Sequence, residues 1–228
     1  MKQPSRYQVA TGIAILFHAV GLTGMLFFSG TDFVKTTPLH LLLMAALLLY
    51  TQKQFNLYTV LFFLVCVAAG IGVEIIGTST GYLFGEYQYG TVLGPGTRNV
   101  PYIIGINWFI IIYCCGVAVH SLLSSVSQKL SEEMERPVRQ IKALSIIVDG
   151  ATLAVVFDWL IEPVAVKLGY WTWLGNGQIP LYNYISWFVI SMLLLLIFHL
   201  LPIQKQNKFA INLLLIQAMF FLLLRTFL

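Results

Sequence analysis

Three carboxylates stand inside apolar runs of this chain. Glu74 lies in "VLFFLVCVAAGIGVEIIG", and Asp158 and Glu162 lie in "DWLIEPVAV". Asp158 and Glu162 are four residues apart, so on a helix they share a face. An ionised acid in lipid is costly, and intramembrane acids therefore face a cavity or a partner and act there. Acids that share one dry pocket cannot all ionise, because desolvation and like charge oppose it. One of them is expected to keep its proton. A neutral carboxylic acid in an apolar pocket is a competent proton donor. The plainer alternative is that the three acids only hydrogen-bond neighbouring helices.

Asn107 and Asn183 fall one to two turns inside other apolar runs, and His40 opens a further one. Together with the acids they are expected to gather in one layer. Asp149 is nine residues from Asp158, which at about 100° per residue puts it on the opposite helix face. It is left out of the expected site. Metal ligation would need His beside the acids, and only His40 is placed for that. No Gly-rich phosphate loop, GxSxG or HExxH occurs. Cys66, Cys114 and Cys115 sit in apolar runs without a CxxC pair and read as small core residues. No lysine lies inside the last run to carry retinal; Lys208 is only at its edge. Neither a metal nor a cofactor is expected.

The elements that must position these groups are membrane spans. The chain has 228 residues, 58% hydrophobic and only 10% charged, whereas soluble domains are about half apolar and about a quarter charged. Seven runs are candidates to cross a bilayer: 9–29, 38–52, 57–77, 101–123, 143–164, 181–201 and 208–227, the second being short for a span. The expected fold is a single all-α polytopic membrane domain over 1–228. Lys2 and Arg6 before the first run resemble a signal-peptide start. The run continues for about twenty residues with no small-x-small cleavage motif, so a retained span is expected. The net charge of +4 is spread out with no basic block, which excludes nucleic acid as a partner.

The 13 Lys and Arg divide unevenly. Lys2, Arg6, Lys53, Lys129, Arg136, Arg139, Lys142, Lys205 and Lys208 fall on one side, and Lys35, Arg98, Lys167 and Arg225 on the other. The positive-inside rule then places the N-terminus in the cytoplasm and the C-terminus outside. The connection 124–142, with "SEEMERPVRQIK", reads as a solvated cytoplasmic linker.

The outer connections 78–100 and 165–180 are rich in Gly and aromatics. Tyr82, Tyr87, Trp171 and Trp173 lie in them, and Trp108 and Trp187 follow soon after. Interfacial belts of Tyr and Trp are the bland explanation. A structured cap over a cavity is the other. The two halves also share a pattern. Glu74 precedes "GEYQYG" and "PYIIGINWF"; Asp158 and Glu162 precede "GYWTWLG" and "PLYNYISWF". This points to a weak parallel duplication of units 57–123 and 143–201, with a site between them.

The segments "VEIIGTSTGYLFGEYQYG", "PGTRNVPYIIGINWF" and "FDWLIEPVAVKLGYWTW", followed by "IPLYNYISWF", resemble the membrane carotenoid biosynthesis family that includes the CruF-type carotenoid hydratases. The resemblance covers about residues 70–200 and is similar, more distantly, to the small membrane lycopene cyclases. It implies a bacterial or archaeal cell membrane. It implies a linear carotenoid substrate such as lycopene or γ-carotene, with other carotenoid enzymes as candidate partners. It implies addition of water across the terminal double bond of an open ψ-end, without a redox cofactor. Glu74, Asp158 and Glu162 would then be the acid and base, and Asn107 and Asn183 would hold water. Arg98 would pair with a carboxylate and keep it ionised, and Tyr and Trp faces would stabilise the carbocation. A cyclase would begin with the same protonation. A proton-coupled transporter and an assembly subunit without chemistry are the rivals from other classes. Oligomeric state is left open.

Overall fold

The structure, a computed structural model, describes residues 3–28, 31–127 and 135–228. Its elements in chain order are α1 (Arg6–Phe27), α2 (Thr31–Lys35), α3 (Thr37–Tyr50), α4 (Leu57–Thr80), β1 (Tyr87–Tyr89), β2 (Gly96–Thr97), β3 (Val100–Pro101), α5 (Tyr102–Ser127), α6 (Glu135–Lys167), β4 (Trp171–Trp173), α7 (Leu181–Leu200) and α8 (Lys208–Phe227). Among the described residues, seven helices are long and apolar enough to cross a membrane. The chain is an all-α membrane protein. The short second run gains length from α2, because Phe33–Tyr50 together reach spanning length. The connection expected at 30–37 is thus partly helical.

Local chemistry sets the helix ends. The Asn56 side chain accepts from the Thr59 N–H at 2.9 Å and caps α4. The Asn207 side chain does the same for α8 through Phe209 N–H at 3.0 Å. Ser5 and Gln8 form a capping box on α1. The linker expected at 124–142 is shorter than it reads, since α6 already begins at Glu135. Lys2 and residues 128–134, Lys129 among them, lie outside the described residues.

Helix α5 is the centre of the bundle. Of its apolar window 78% is buried, against 22–44% for the other six. It packs against α3, α4, α6 and α8, and the three free cysteines are buried in the same interior. The outward faces of the other helices stay apolar, with Leu39, Leu57, Leu144 and Leu193 exposed. Such a girdle suits lipid.

Pro163 sits inside α6. Proline has no N–H, so the carbonyl four residues back loses its helical partner. That carbonyl belongs to Trp159, and Arg225 of α8 donates to it at 3.1 Å. The Arg225 guanidinium also lies 3.8 Å from the centre of the Trp159 ring. A residue that the sequence presents as a topology charge is therefore a brace for the helix that carries Asp158 and Glu162.

Candidate active site

The two outer connections are joined into one sheet. β1 pairs antiparallel with β4, setting Tyr87 against Trp173 and Tyr89 against Trp171. Gly90 N–H to Tyr170 O and Leu174 N–H to Glu86 O, both 2.8 Å, extend the ladder at its two ends. Side chains alternate faces along a strand. Gln88 and Thr172 face outward and are exposed, and the two tyrosines and two tryptophans point the other way, toward the acids. A hydrogen bond of 2.7 Å between Thr37 and Tyr170 ties this cap to the start of α3.

The three acids are 3–5% exposed. Glu74 on α4 accepts from the Tyr87 hydroxyl, from the Tyr89 hydroxyl at 2.7 Å and from the Trp108 indole at 3.0 Å. Glu162 on α6 accepts two indole N–H bonds on the same oxygen, from Trp171 at 3.0 Å and Trp173 at 2.8 Å. Asp158, one turn earlier, accepts from the Asn183 carboxamide of α7 at 2.8 Å. Trp108 and Trp187 stack almost parallel across α5 and α7, with ring centres 3.8 Å apart and planes 7° apart. Indole N–H can only donate, so the Glu74 and Glu162 oxygens facing Trp108, Trp171 and Trp173 are acceptors.

Two glycines of α4 make the Glu74 pocket possible. A Cβ on Gly70 would stand 2.7 Å from the Trp108 ring, and a Cβ on Gly77 would stand 2.6 Å from Phe84 and 3.0 Å from the Tyr87 hydroxyl oxygen. Gly70 and Gly77 lie one turn either side of Glu74, on the same helix face. Their bare surface lets Trp108 and Tyr87 reach the carboxylate.

A chamber of about 30 Å³ lies among Glu74, Asp158, Glu162, Trp173, Asn183 and Trp187, roughly the room one water needs. Trp171 also lines this chamber, and it forms part of the wall of a larger apolar cavity of about 380 Å³ bounded by α1, α3, α5, α6 and α8. The rim of that cavity includes Phe17, Val20 and Leu39, all exposed on the apolar flank. The cavity thus reaches the apolar flank of the bundle on one side and shares Trp171 with the acid chamber on the other.

Most of the expected site is assembled here, with four corrections. Tyr82 is 86% exposed and faces away. Tyr89, which the sequence-based selection omits, takes the place beside Glu74; its i, i+2 spacing from Tyr87 was the available clue. Arg98 is exposed in the two-residue turn between β2 and β3, where it and Asn99 have φ of 47° and 64°, and it is no partner of the three acids. Positive φ at both positions is what such a tight hairpin needs, so the role of Arg98 is at the turn. Asn107 and His40 line the large cavity and not the acid chamber. His40 contacts His18, with ring nitrogens 3.3 Å apart.

The fold is thus a bundle of helices long and apolar enough to span a membrane, with buried acids ringed by aromatic donors and adjoining an apolar cavity. The chain belongs to the family of carotenoid biosynthesis proteins, whose pattern matches residues 36–228. It is 28% identical over 130 residues to a bisanhydrobacterioruberin hydratase of Haloarcula japonica. That match covers 56% of this chain and 40% of the relative, so the chain spans well under two thirds of that protein. No solved structure matches.

Proposed function

We propose that the protein is a carotenoid hydratase, adding water across the terminal double bond of an open ψ-end of the lycopene or γ-carotene type. The observation that carries this is the acid chamber itself: three buried carboxylates with room for one water, sharing Trp171 with an apolar cavity open to lipid. The similarity to a hydratase supports it.

Hydrogen bonds divide the roles. Glu74 and Glu162 are met by three and two donors, an arrangement suited to holding negative charge. Asp158 has one carboxamide partner, on one oxygen, and its other oxygen is left for the chamber. Asp158 is therefore assigned the proton. Its O–H breaks as a C–H bond forms at the CH carbon of the terminal double bond, leaving a tertiary cation at the dimethyl carbon. The Trp171 and Trp173 faces and the two glutamates stabilise that cation. Water in the chamber forms the C–O bond and gives its proton to Glu162, which returns it to Asp158 along the same helix face. The alkene gains H and OH, and no electrons are exchanged.

The test is expression in cells that make lycopene, with mass analysis of the pigments. A product heavier by one water supports hydration. An isomer of unchanged mass would mean that the next internal double bond captures the cation, as in a cyclase. Unchanged pigment would overturn both and turn attention to a transporter or assembly role. The division of charges further supports a cytoplasmic N-terminus, with the acid chamber toward the outer leaflet. Labelling of a cysteine placed between α5 and α6 from outside intact cells would invert that orientation.

A further inference from the structure

At the far end of the bundle from the acids lies a polar cavity of about 740 Å³. Glu74 is near the Thr80 end of α4, whereas this cavity is beside the Leu57 end. Some 24 residues of helix, about 36 Å at about 1.5 Å per residue, separate the two ends. Three cations line it from three parts of the chain: Arg6 at the start of α1, Lys53 between α3 and α4, and Lys208 at the start of α8. No carboxylate among the described residues lines it. Arg6 and Lys208 rest on aromatic faces instead, 5.5 Å from the Tyr50 ring centre and 5.4 Å from that of Tyr7. These contacts orient the cations without neutralising them.

Two helix N-termini also meet here, since the cap residues Ser5 of α1 and Asn207 of α8 both line the cavity. Helix N-termini carry partial positive charge and attract anions. The inner wall is hydrogen-bonded. Asn207 donates to Leu48 O at 3.2 Å and to Thr51 Oγ1 at 3.1 Å, and Gln52 donates to the Tyr113 hydroxyl. The remaining Gln52 oxygen is buried and has no hydrogen-bond partner among the described residues. The side chain is only 4% exposed and lines the cavity. A buried acceptor without a donor is costly to leave so.

We propose that this cavity binds a phosphate group, supplied by the headgroup of an anionic phospholipid in the leaflet opposite the acid chamber. Basic pockets between spans at a membrane face suit such headgroups. The site is independent of the carotenoid chemistry and would stand if that assignment failed.

The test is thermal unfolding of the full-length protein, purified in detergent and stripped of lipid, with phosphatidylglycerol, phosphatidylcholine or inorganic phosphate added. Phosphatidylglycerol is expected to raise the midpoint where phosphatidylcholine of the same acyl chains does not. Lys53→Gln, a change at an exposed loop residue, should leave the lipid-free midpoint unchanged and weaken the lipid effect about fivefold, the worth of one interfacial cation. Arg6→Gln should do likewise. An equal rise with inorganic phosphate, weakened by the same variants, keeps the phosphate site and assigns it a soluble ligand. No rise with either anion, or a rise insensitive to both variants, overturns the proposal.

Discussion

Glu74 and Glu162 look equivalent in the sequence, yet replacing each with Gln should affect the protein very differently. Both indole bonds to Glu162 fall on one oxygen. A Gln at 162 can put its carbonyl oxygen there and turn its NH₂ toward the chamber, so Glu162→Gln should cost under about 1 kcal/mol of stability. Glu74 accepts on both oxygens, from Trp108 on one and from Tyr87 and Tyr89 on the other. A Gln at 74 must turn its NH₂ toward one set. Facing Trp108 it sets donor against donor; facing the tyrosines it leaves their hydroxyls without an acceptor. A buried donor left unpaired costs about 1–3 kcal/mol. For a chain of 228 residues that lowers the unfolding midpoint by roughly 2–12 °C. The assay is thermal unfolding of both variants in the same detergent. Trp108→Phe removes the opposing donor, so the cost of Glu74→Gln should shrink in that background. A Glu162→Gln midpoint as low as that of Glu74→Gln would refute the reasoning, as would a Glu74→Gln cost that persists undiminished without Trp108.

Three other perturbations separate chemistry from architecture. Asp158→Asn removes the assigned proton donor and keeps the shape; water addition should fall by about 10²–10⁴-fold with little change in midpoint, read from pigment conversion and unfolding together. Gly70→Ala should be destabilising by about 1–3 kcal/mol through overpacking against Trp108, partly offset by about 1 kcal/mol of helix propensity, and denaturation of the purified protein measures the balance. Arg98→Ala should leave conversion within about twofold of the parent, since a surface change away from packing and caps has small effects; a large loss would put Arg98 back at the site.

Much of the architecture was legible because a span is a one-dimensional feature. The run read as 57–77 is α4 (Leu57–Thr80), and that read as 208–227 is α8 (Lys208–Phe227). The acids were legible for the same reason: a carboxylate in an apolar run has to be accommodated by something. The outer connections were harder. Their aromatics fit an interfacial belt equally well, and nothing local distinguishes Tyr82, which is exposed, from Tyr89, which binds Glu74. That choice depends on β1 finding β4 about 80 residues away in the chain. Arg98 misled because a cation in an outer connection suggests a partner for a buried acid, while the hairpin turns it outward.

By itself the sequence determined that the chain has seven runs apolar enough to be membrane spans, and that three acids lie inside them. Hydrophobic run length and the cost of burying charge act residue by residue, and both can be counted along a line. The tertiary structure alone decided which donors each acid meets, that Trp171 stands between the acid chamber and the apolar cavity, and that Asn107 belongs to the cavity side. It also decided that Arg225 replaces the bond lost at Pro163. Those outcomes depend on the register of two strands and the packing angles of helices distant in sequence, where a shift of one residue would turn each side chain to a different neighbour.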